Sequence, residues 1–190
     1  MEVNHRKRVK HYDEPGHAHF LTFSCFHRLP LLSKDRTCLW LIDAINRARK
    51  KYGFHVWAWV LMPEHVHLLI WPPQPTSTAE ILRSIKMPVA KRAIAYLKVH
   101  APSYLEKLAI RTAGVTEYRF WQAGPGYDVN VTEPQQVYAL VEYIHNNPVI
   151  RGLVETATTW KWSSLNDWLG NRLSLIELDR NSIPIINASE

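Results

Sequence analysis

The sequence predicts an α+β domain with a split βαβ pattern, ferredoxin-like or RRM-like, built on an antiparallel sheet. Three observations support this fold class: short apolar runs of strand-like composition, amphipathic segments of helical spacing, and their order along the chain. That order is strand, helix, strand, strand, helix, strand and an added helix. We expect helices on one face of the sheet and a site on the open sheet face or in a helix–sheet crevice.

The first half of the chain supplies three strands and one helix. The first strand places Thr22 and Ser24 on one face, because side chains alternate along a strand. The helix has apolar residues at helical spacing and a suitable stop at Gly53. The second and third strands are joined by a short link, which favours antiparallel pairing. These elements are predicted at residues 17–26, 33–52, 54–61 and 65–71.

Prolines set most of the predicted boundaries in the second half. A helix that begins near Thr78 meets Pro88, which predicts either a kink or two abutting helices, and Pro102 ends this helical region. Residues 116–122 have a strand-like composition and are predicted as the fourth strand. Residues 134–146 carry one apolar stripe and are predicted as a helix that ends at the following proline.

The chain is basic, which favours a polyanionic partner. Its net charge is +6 and its pI is about 9.4. A basic surface most often indicates nucleic acid, although each cationic cluster could equally be a solvated surface. The side chains singled out as candidate DNA contacts are Arg6, Lys7, Arg8, Arg83, Lys86, Lys91 and Arg92.

The same composition argues against several other classes of protein. The two cysteines form no CxxC pair, so neither a disulfide framework nor a cysteine zinc site is indicated. No apolar run reaches membrane-spanning length, and no apolar signal region follows the basic N-terminus. We expect a cytoplasmic protein with a basic arm at residues 1–15, one domain at residues 16–170 and a C-terminal tail at residues 171–190.

A histidine pair lies in the third predicted strand. His65 and His67 are two residues apart, so they point to the same face of a strand and can reach one divalent metal ion. A bare pair of this kind is more often two hydrogen-bonded histidines on a sheet. The metal interpretation therefore depends on a second polar cluster.

That second cluster lies near the end of the last predicted helix. Tyr143 and Asn147 are four residues apart and share a helix face. A tyrosine hydroxyl can act as a nucleophile towards an electrophile that a metal polarises. Two imidazoles and an amide oxygen suit Mg²⁺ or Mn²⁺ better than zinc. The plain alternative for Tyr143 is a half-buried helix aromatic.

Four segments together resemble a known family, the REP-associated tyrosine transposases. The segments are MPEHVHLLIW, RFWQAGPGYD, VEYIHNNPVIRGLV and WKWSSL. The family is related to the small one-tyrosine HUH transposases of bacterial insertion sequences. The resemblance covers roughly residues 15–170 and implies an HUH nuclease fold. It also implies cleavage of single-stranded DNA beside a palindromic hairpin, with the tyrosine linked to the 5′ phosphate and a 3′ hydroxyl released.

The resemblance assigns roles to individual residues. His65 and His67 match the HUH histidines, Tyr143 matches the nucleophile, and Asn147 matches the third ligand of Mg²⁺ or Mn²⁺. That ligand is Gln in the insertion-sequence relatives and Asn in the REP-associated group. Glu64 departs from the family pattern, since Asn is common at that position. The group implies a monomer, with a dimer as the alternative.

Two other functions fit the same residues. One is a metal-dependent hydrolase that uses the histidines and Glu64 to activate water. The other is an RRM-like module that binds nucleic acid on its sheet without catalysis. Within the transposase reading, Tyr138 and Tyr127 compete with Tyr143, and Tyr127 is the weaker rival because we expect it in a loop.

Overall fold

The computed structural model describes residues 16–73, 76–124, 126–171 and 174–185. The predicted arm at residues 1–15, with Arg6, Lys7 and Arg8, lies outside the described residues. The strands and α-helices, in chain order, are β1 (Ala18–Ser24), α1 (Asp35–Tyr52), β2 (His55–Leu61), β3 (His65–Trp71), α2 (Thr78–His100), α3 (Pro102–Leu105), β4 (Ala109–Thr112), β5 (Val115–Tyr118), β6 (Tyr127–Val131), α4 (Pro134–Ile150) and α5 (Leu165–Trp168).

The main sheet has four antiparallel strands in the order β2-β3-β1-β6. Strand β1 therefore lies in the middle of the sheet, although it comes first in the chain. This order, with α1 and α2 as the two crossovers, is the split βαβ arrangement and confirms the predicted fold class.

The fourth strand of this sheet is β6, so its prediction at residues 116–122 was wrong. Residues 116–118 of that segment instead belong to a local hairpin, in which β5 pairs with β4. Ala113 and Gly114 form the hairpin turn with positive φ angles of 48° and 81°, the conformation that suits a tight two-residue turn. Strand β6 was not predicted, because its sequence is polar. Asp128 is nevertheless buried, because it hydrogen-bonds His19 at 3.0 Å and Thr78 at 2.9 Å.

Three prolines do not end helices where the sequence predicts. Of the two outcomes predicted at Pro88, a pair of abutting helices is wrong, and the predicted ends at Pro102 and Pro148 are also wrong. Pro88 lies inside the single helix α2 rather than between two helices, and Pro148 lies inside α4. Pro88 is on the exposed side of α2, while the buried Ile85 and Val89 hold the helix to the core on either side of it. Pro102 starts α3, since proline suits the first position of a helix.

The sheet is covered on both faces. Alternate residues of each strand point to opposite sides, which gives two separate apolar clusters. The larger cluster joins the sheet to α1 and α2, and the smaller joins it to α4. On β3, Val66 and Leu68 belong to the first cluster and Leu69 to the second. The site-bearing side of β3 thus faces α4.

The outer edge of β2 is covered by the C-terminal part of the chain. Leu61 donates a backbone hydrogen bond to Trp162, and Ser164 donates one to Trp59. Asp179 pairs with both backbone groups of Val56, and so closes the rest of this edge. Residues 174–185, part of the predicted tail, therefore pack against the sheet. In the described part of the chain, no helix has both the length and the apolar character to cross a membrane.

Gly126 fixes the loop that leads into β6. Its φ is +88°, and an added Cβ would lie 2.3 Å from the backbone oxygen of Thr22. Gly124 has a similar φ of +98°, but an added Cβ there meets nothing within 4 Å. Any side chain at Gly126 must therefore displace the loop from β1.

We predict that Gly126→Ala destabilises the protein more than Gly124→Ala. Both substitutions carry the cost of a positive φ, about 1 kcal/mol. Only Gly126→Ala adds a backbone clash, for a total loss of about 2 kcal/mol or more in the free energy of unfolding. Urea denaturation of the two variants measures the difference. Equal losses would show that the loop accommodates the added methyl group.

Candidate functional site

The two histidines of β3 form a buried pair beneath α4. His65 and His67 point to the same side of the strand, as their spacing predicts, and both are buried. Their Nε2 atoms are 3.1 Å apart. Both rings therefore direct the same nitrogen towards one point.

The other nitrogen of each ring is held by a neighbouring side chain. His67 Nδ1 is hydrogen-bonded to Thr22 Oγ1 at 2.8 Å. His65 Nδ1 donates to Glu64 Oε1 at 3.1 Å, and Arg151 is ion-paired with the same carboxylate oxygen at 3.0 Å. A proton on Nδ1 leaves a lone pair on Nε2, which is the arrangement that a metal-binding histidine requires.

Burial keeps both imidazoles neutral. It lowers the pKa of His65, against the opposing effect of Glu64. It lowers the pKa of His67 to about 3, and the adjacent His65 adds to this effect. Two neutral imidazoles are available as ligands at neutral pH.

Asn147 completes a set of three donor groups. Its amide nitrogen is 3.2 Å from His67 Nε2, and its buried Oδ1 has no hydrogen-bond partner in the structure. A half-turn of the amide exchanges the two atoms and brings the oxygen to the histidine side. No group of three or more His, Cys, Asp or Glu side chains is placed to hold a metal in the described ranges. The Asn147 amide is the further polar group that lies beside the histidine pair.

Tyr143 lies one helical turn before Asn147, at the mouth of the site. The apolar stripe of α4 is buried against the sheet, whereas Tyr143 beside it is 43% exposed. Its ring centroid is 5.4 Å from that of His67 and 6.1 Å from that of Phe20. Within the described structure its hydroxyl makes no hydrogen bond, so it is free to meet a ligand.

These groups line one cavity of about 540 Å³ between α4 and the sheet. A helix–sheet crevice was one of the two places expected for the site. The cavity wall combines aromatic, ligand-type and cationic side chains. It is formed by Phe20, Thr22, Arg28, His65, His67, Tyr127, Leu140, Tyr143, Asn147, Ile150 and Arg151.

The competing tyrosines lie in different surroundings. Tyr127 is the first residue of β6 and lines the same cavity, so its expected position in a loop was wrong. Its ring is in contact with Phe20, at 6.5 Å between centroids. Tyr138 instead donates to the backbone oxygen of Pro184, away from the cavity. Tyr127 is therefore the stronger rival of the two.

The candidate DNA contacts of α2 fall in two places rather than in one groove. Arg83 and Lys86 line a second cavity of about 440 Å³ with Trp121 and Gly124. Lys86 donates to the backbone oxygen of Gly124 at 3.1 Å, and burial lowers its pKa.

The other two α2 candidates lie further along the helix. Lys91 and Arg92 are exposed, and the Arg92 guanidinium lies 4.7 Å from the centroid of the Trp40 ring. This contact holds the arginine against α1.

The sequence did not identify the roles of four residues at the site. Thr22 reaches His67 only through the register of β1 on β3, in which the two residues are directly paired. Arg151 follows Asn147 by four residues at the C-terminal end of α4, a position that the predicted helix end at Pro148 excluded. Glu64 had been considered only as a water-activating base. Nothing in the sequence pointed to Arg28.

The order of the sheet and the histidine pair on β3 are the features expected of the HUH nuclease class. The chain belongs to the IS200-like transposases, because residues 16–147 match the family described as "Transposase IS200 like". Membership makes it a DNA-cleaving enzyme of the transposase type.

The chain is also similar to individual proteins of known sequence or structure. A Haemophilus influenzae protein named as a REP-associated tyrosine transposase is 27% identical over 167 residues, which cover 74% of this chain and 85% of that protein. The solved structure of a REP-associated tyrosine transposase bound to a REP hairpin has a TM-score of 0.66 at 20% identity, and covers 97% of each chain. A transposase structure from Deinococcus radiodurans covers 74% of this chain and 96% of its own, with a TM-score of 0.46 and 20% identity.

Proposed function

We propose that this protein cleaves and rejoins single-stranded DNA beside a palindromic hairpin, through a 5′-phosphotyrosine on Tyr143. One observation carries the proposal: Tyr143, two neutral imidazoles and an amide with an unpaired oxygen line the same cavity. The similarity to proteins named as REP-associated tyrosine transposases supports a REP-type hairpin as the target.

His65, His67 and Asn147 would hold Mg²⁺ or Mn²⁺. When bound there, the ion supplies Lewis-acid polarisation of the scissile phosphate. Thr22 and Glu64 keep the two rings oriented with Nε2 inwards, and Arg151 holds Glu64 in place. The packing of α4 on the sheet keeps Asn147 beside His67.

Tyr143 is the nucleophile. Its oxygen forms a bond to phosphorus while the bond from phosphorus to the 3′ oxygen breaks. The tyrosine proton leaves to solvent, and the departing 3′ oxygen takes one from solvent. One phosphodiester replaces another, so a DNA 3′ hydroxyl can reverse the step and rejoin strands without ATP. The contacts of the Tyr143 ring with Phe20 and His67 position the hydroxyl for this attack.

The DNA would bind chiefly through cations and exposed rings. Arg83 and Lys86 lie in a cavity with Trp121, and the loop from Gly124 leads directly to Tyr127 in the site. Lys91 and Arg92 extend the positive surface along α2, and Arg6, Lys7 and Arg8 would add a basic arm. We expect the protein to act as a monomer in the cytoplasm.

The two alternative functions fit the geometry less well. Glu64 is engaged by His65 and Arg151 and does not line the cavity, which argues against its use as a base for a water nucleophile. An RRM-like module binds through an open sheet face. Here α1 and α2 cover one face of the sheet and α4 packs on the other.

The first prediction concerns the nucleophile. Tyr143→Phe should abolish covalent attachment to a labelled hairpin DNA in Mg²⁺ or Mn²⁺, with folding and DNA binding retained. Tyr127→Phe is the matched control, because it removes a hydroxyl from the same cavity and should leave the adduct intact. Peptide mapping of the wild-type adduct should locate the DNA on Tyr143. Recovery of the DNA on Tyr127 or Tyr138 would contradict this assignment.

The second prediction concerns the metal. His65→Ala and His67→Ala should each abolish cleavage and Mn²⁺ binding while hairpin affinity changes little, because affinity comes mainly from phosphate contacts. Thr22→Val should weaken Mn²⁺ binding by about tenfold or more, since it removes the partner of His67 Nδ1. Calorimetric titration with Mn²⁺ measures both effects.

Ser24→Ala is the control for Thr22→Val. Ser24 is two residues further along the same strand, and its hydroxyl makes no hydrogen bond in the described structure. Mn²⁺ affinity should be unchanged by this substitution. Normal Mn²⁺ binding by His67→Ala would exclude the proposed ligand set.

The third prediction concerns the DNA interface. The affinity for hairpin DNA should fall steeply with salt, because bound lysines and arginines release counterions from phosphates. Replacing Lys91 and Arg92 by Gln should lower the slope of log affinity against log salt by about 1 to 2. Replacing Arg83 and Lys86 by Gln should lower this slope by a similar amount.

A control pair separates this effect from a change in net charge. Arg111 and Arg119 are ion-paired with Glu106 and Glu117, so replacing both by Gln should leave the slope nearly unchanged. Binding curves at several salt concentrations give all of these slopes. An affinity that does not depend on salt would remove nucleic acid as the partner.

A further inference from the structure

An unusual backbone follows β1 at the edge of the site. His27 and Arg28 have φ angles of 51° and 52°, in the left-handed region that residues other than glycine rarely adopt. The conformation is held by backbone hydrogen bonds from Arg28 to Cys25 and from Leu29 to Phe26. Two consecutive residues of this kind near a site indicate that a side chain is held for a function.

The strained segment is tied directly to the histidine strand. Cys25 donates a backbone hydrogen bond to Glu64, the residue before His65, at 2.8 Å. His27 donates from its backbone to the side chain of Gln122 at 3.3 Å. The backbone on the N-terminal side of Arg28 is therefore anchored to both neighbouring segments, one of which carries the histidine pair.

The side chain of Arg28 lines the cavity and is unpaired. Within the described residues its guanidinium makes no hydrogen bond or ion pair. Arg151, the other arginine of the cavity, is paired with Glu64. The described lining contains no Asp or Glu, so Arg28 is the arginine of this lining that no carboxylate engages in the described structure.

We propose that Arg28 is a catalytic residue that binds the scissile phosphate and offsets the charge that develops on it during attack by Tyr143. This inference rests on the proposed function. A guanidinium can donate to two non-bridging oxygens at once and remains protonated throughout. It takes no part in the bond exchange: the Tyr143 oxygen–phosphorus bond forms, the bond to the 3′ oxygen breaks, and protons exchange with solvent.

The test compares two substrates that differ in charge at one position. One hairpin DNA has a normal phosphodiester at the cleavage site. The other has a methylphosphonate there, which replaces a charged oxygen by a neutral methyl group. The rate of adduct formation is measured in single-turnover experiments with wild-type protein, Arg28→Gln and Arg28→Lys. Arg111→Gln, which removes an equal charge from the β4–β5 hairpin region, is the control.

Arg28→Gln should slow attack on the phosphodiester by about 100-fold or more, and Arg28→Lys by less. Hairpin affinity and thermal melting should change little, because Arg28 is one of many phosphate contacts and is exposed. On the methylphosphonate, wild-type protein and Arg28→Gln should differ by less than about fivefold, because the charge that Arg28 offsets is absent. Arg111→Gln should match the wild type on both substrates.

Two results would overturn the inference while leaving the role of Tyr143 intact. One is a normal rate for Arg28→Gln on the phosphodiester. The other is an equal loss on both substrates, which would mean that Arg28 acts on the fold of the site and not on the charge.

A binding measurement separates this inference from the proposed function. In a Tyr143→Phe background and without added divalent metal, the protein should bind the phosphodiester slightly more tightly than the methylphosphonate, and Arg28→Gln should remove that small preference. If wild-type protein forms no adduct, the proposed function fails, but loss of the preference still supports contact between Arg28 and the phosphate. Persistence of the preference in Arg28→Gln contradicts that contact.

Discussion

The register of β1 against β3 is the constraint on which the site depends. Thr22 is paired with His67 and Ser24 with His65, so the polar side chains of both strands share the face that α4 covers. A shift of one residue would turn Val66 towards the cavity and both histidines towards the larger core. The register is held by that core, because Leu21 and Phe23 point into it with Val66 and Leu68. Packing of the apolar face of the sheet thereby turns His65 and His67 towards α4 on the opposite face.

Helix α4 packs on the sheet with one set of residues and lines the cavity with another. Val137, Val141 and Ile144 bury its stripe on the sheet, and this packing presents Tyr143 and Asn147 to the cavity from neighbouring positions. The end of the helix is tied to β3 through the Arg151–Glu64 pair. Glu64 is only slightly exposed, so this ion pair is better shielded than a surface one. It links the element that carries the tyrosine to the strand that carries the histidines.

The sequence predicted features that depend on local spacing. The histidine pair, the Tyr143–Asn147 pair and the alternating strands follow from fixed periods of two or four residues, and the structure brings both pairs to one cavity. Features that depend on distant partners were missed. Strand β6 has a polar sequence, and its buried Asp128 is stabilised by partners that are distant in sequence, among them His19 and Thr78. A proline inside a helix costs about 3 kcal/mol, which is why Pro88 was expected to disturb α2. Packing of the buried face of α2 against the core offsets this cost. A left-handed Arg28 has no signature in the sequence, because its conformation is imposed by hydrogen bonds to other residues of its turn.

The loop before β6 joins two parts of the molecule that the sequence did not connect. Lys86 donates to Gly124 at one end of this loop, and Gly126 at the other end packs against the backbone of Thr22 with no room for a side chain. Thr22 in turn orients His67. The cavity that Lys86 lines and the histidine pair are therefore both linked to β1, the first through Gly124 and Gly126 and the second through Thr22. Contact alone does not transmit a change, since coupling requires an element with two arrangements that both ends favour differently. The tight fit of Gly126 opposes a second arrangement at this residue, because any movement towards β1 is blocked by the backbone of Thr22. This contact therefore favours a constant spacing between β1 and the start of β6 over a switch between two states.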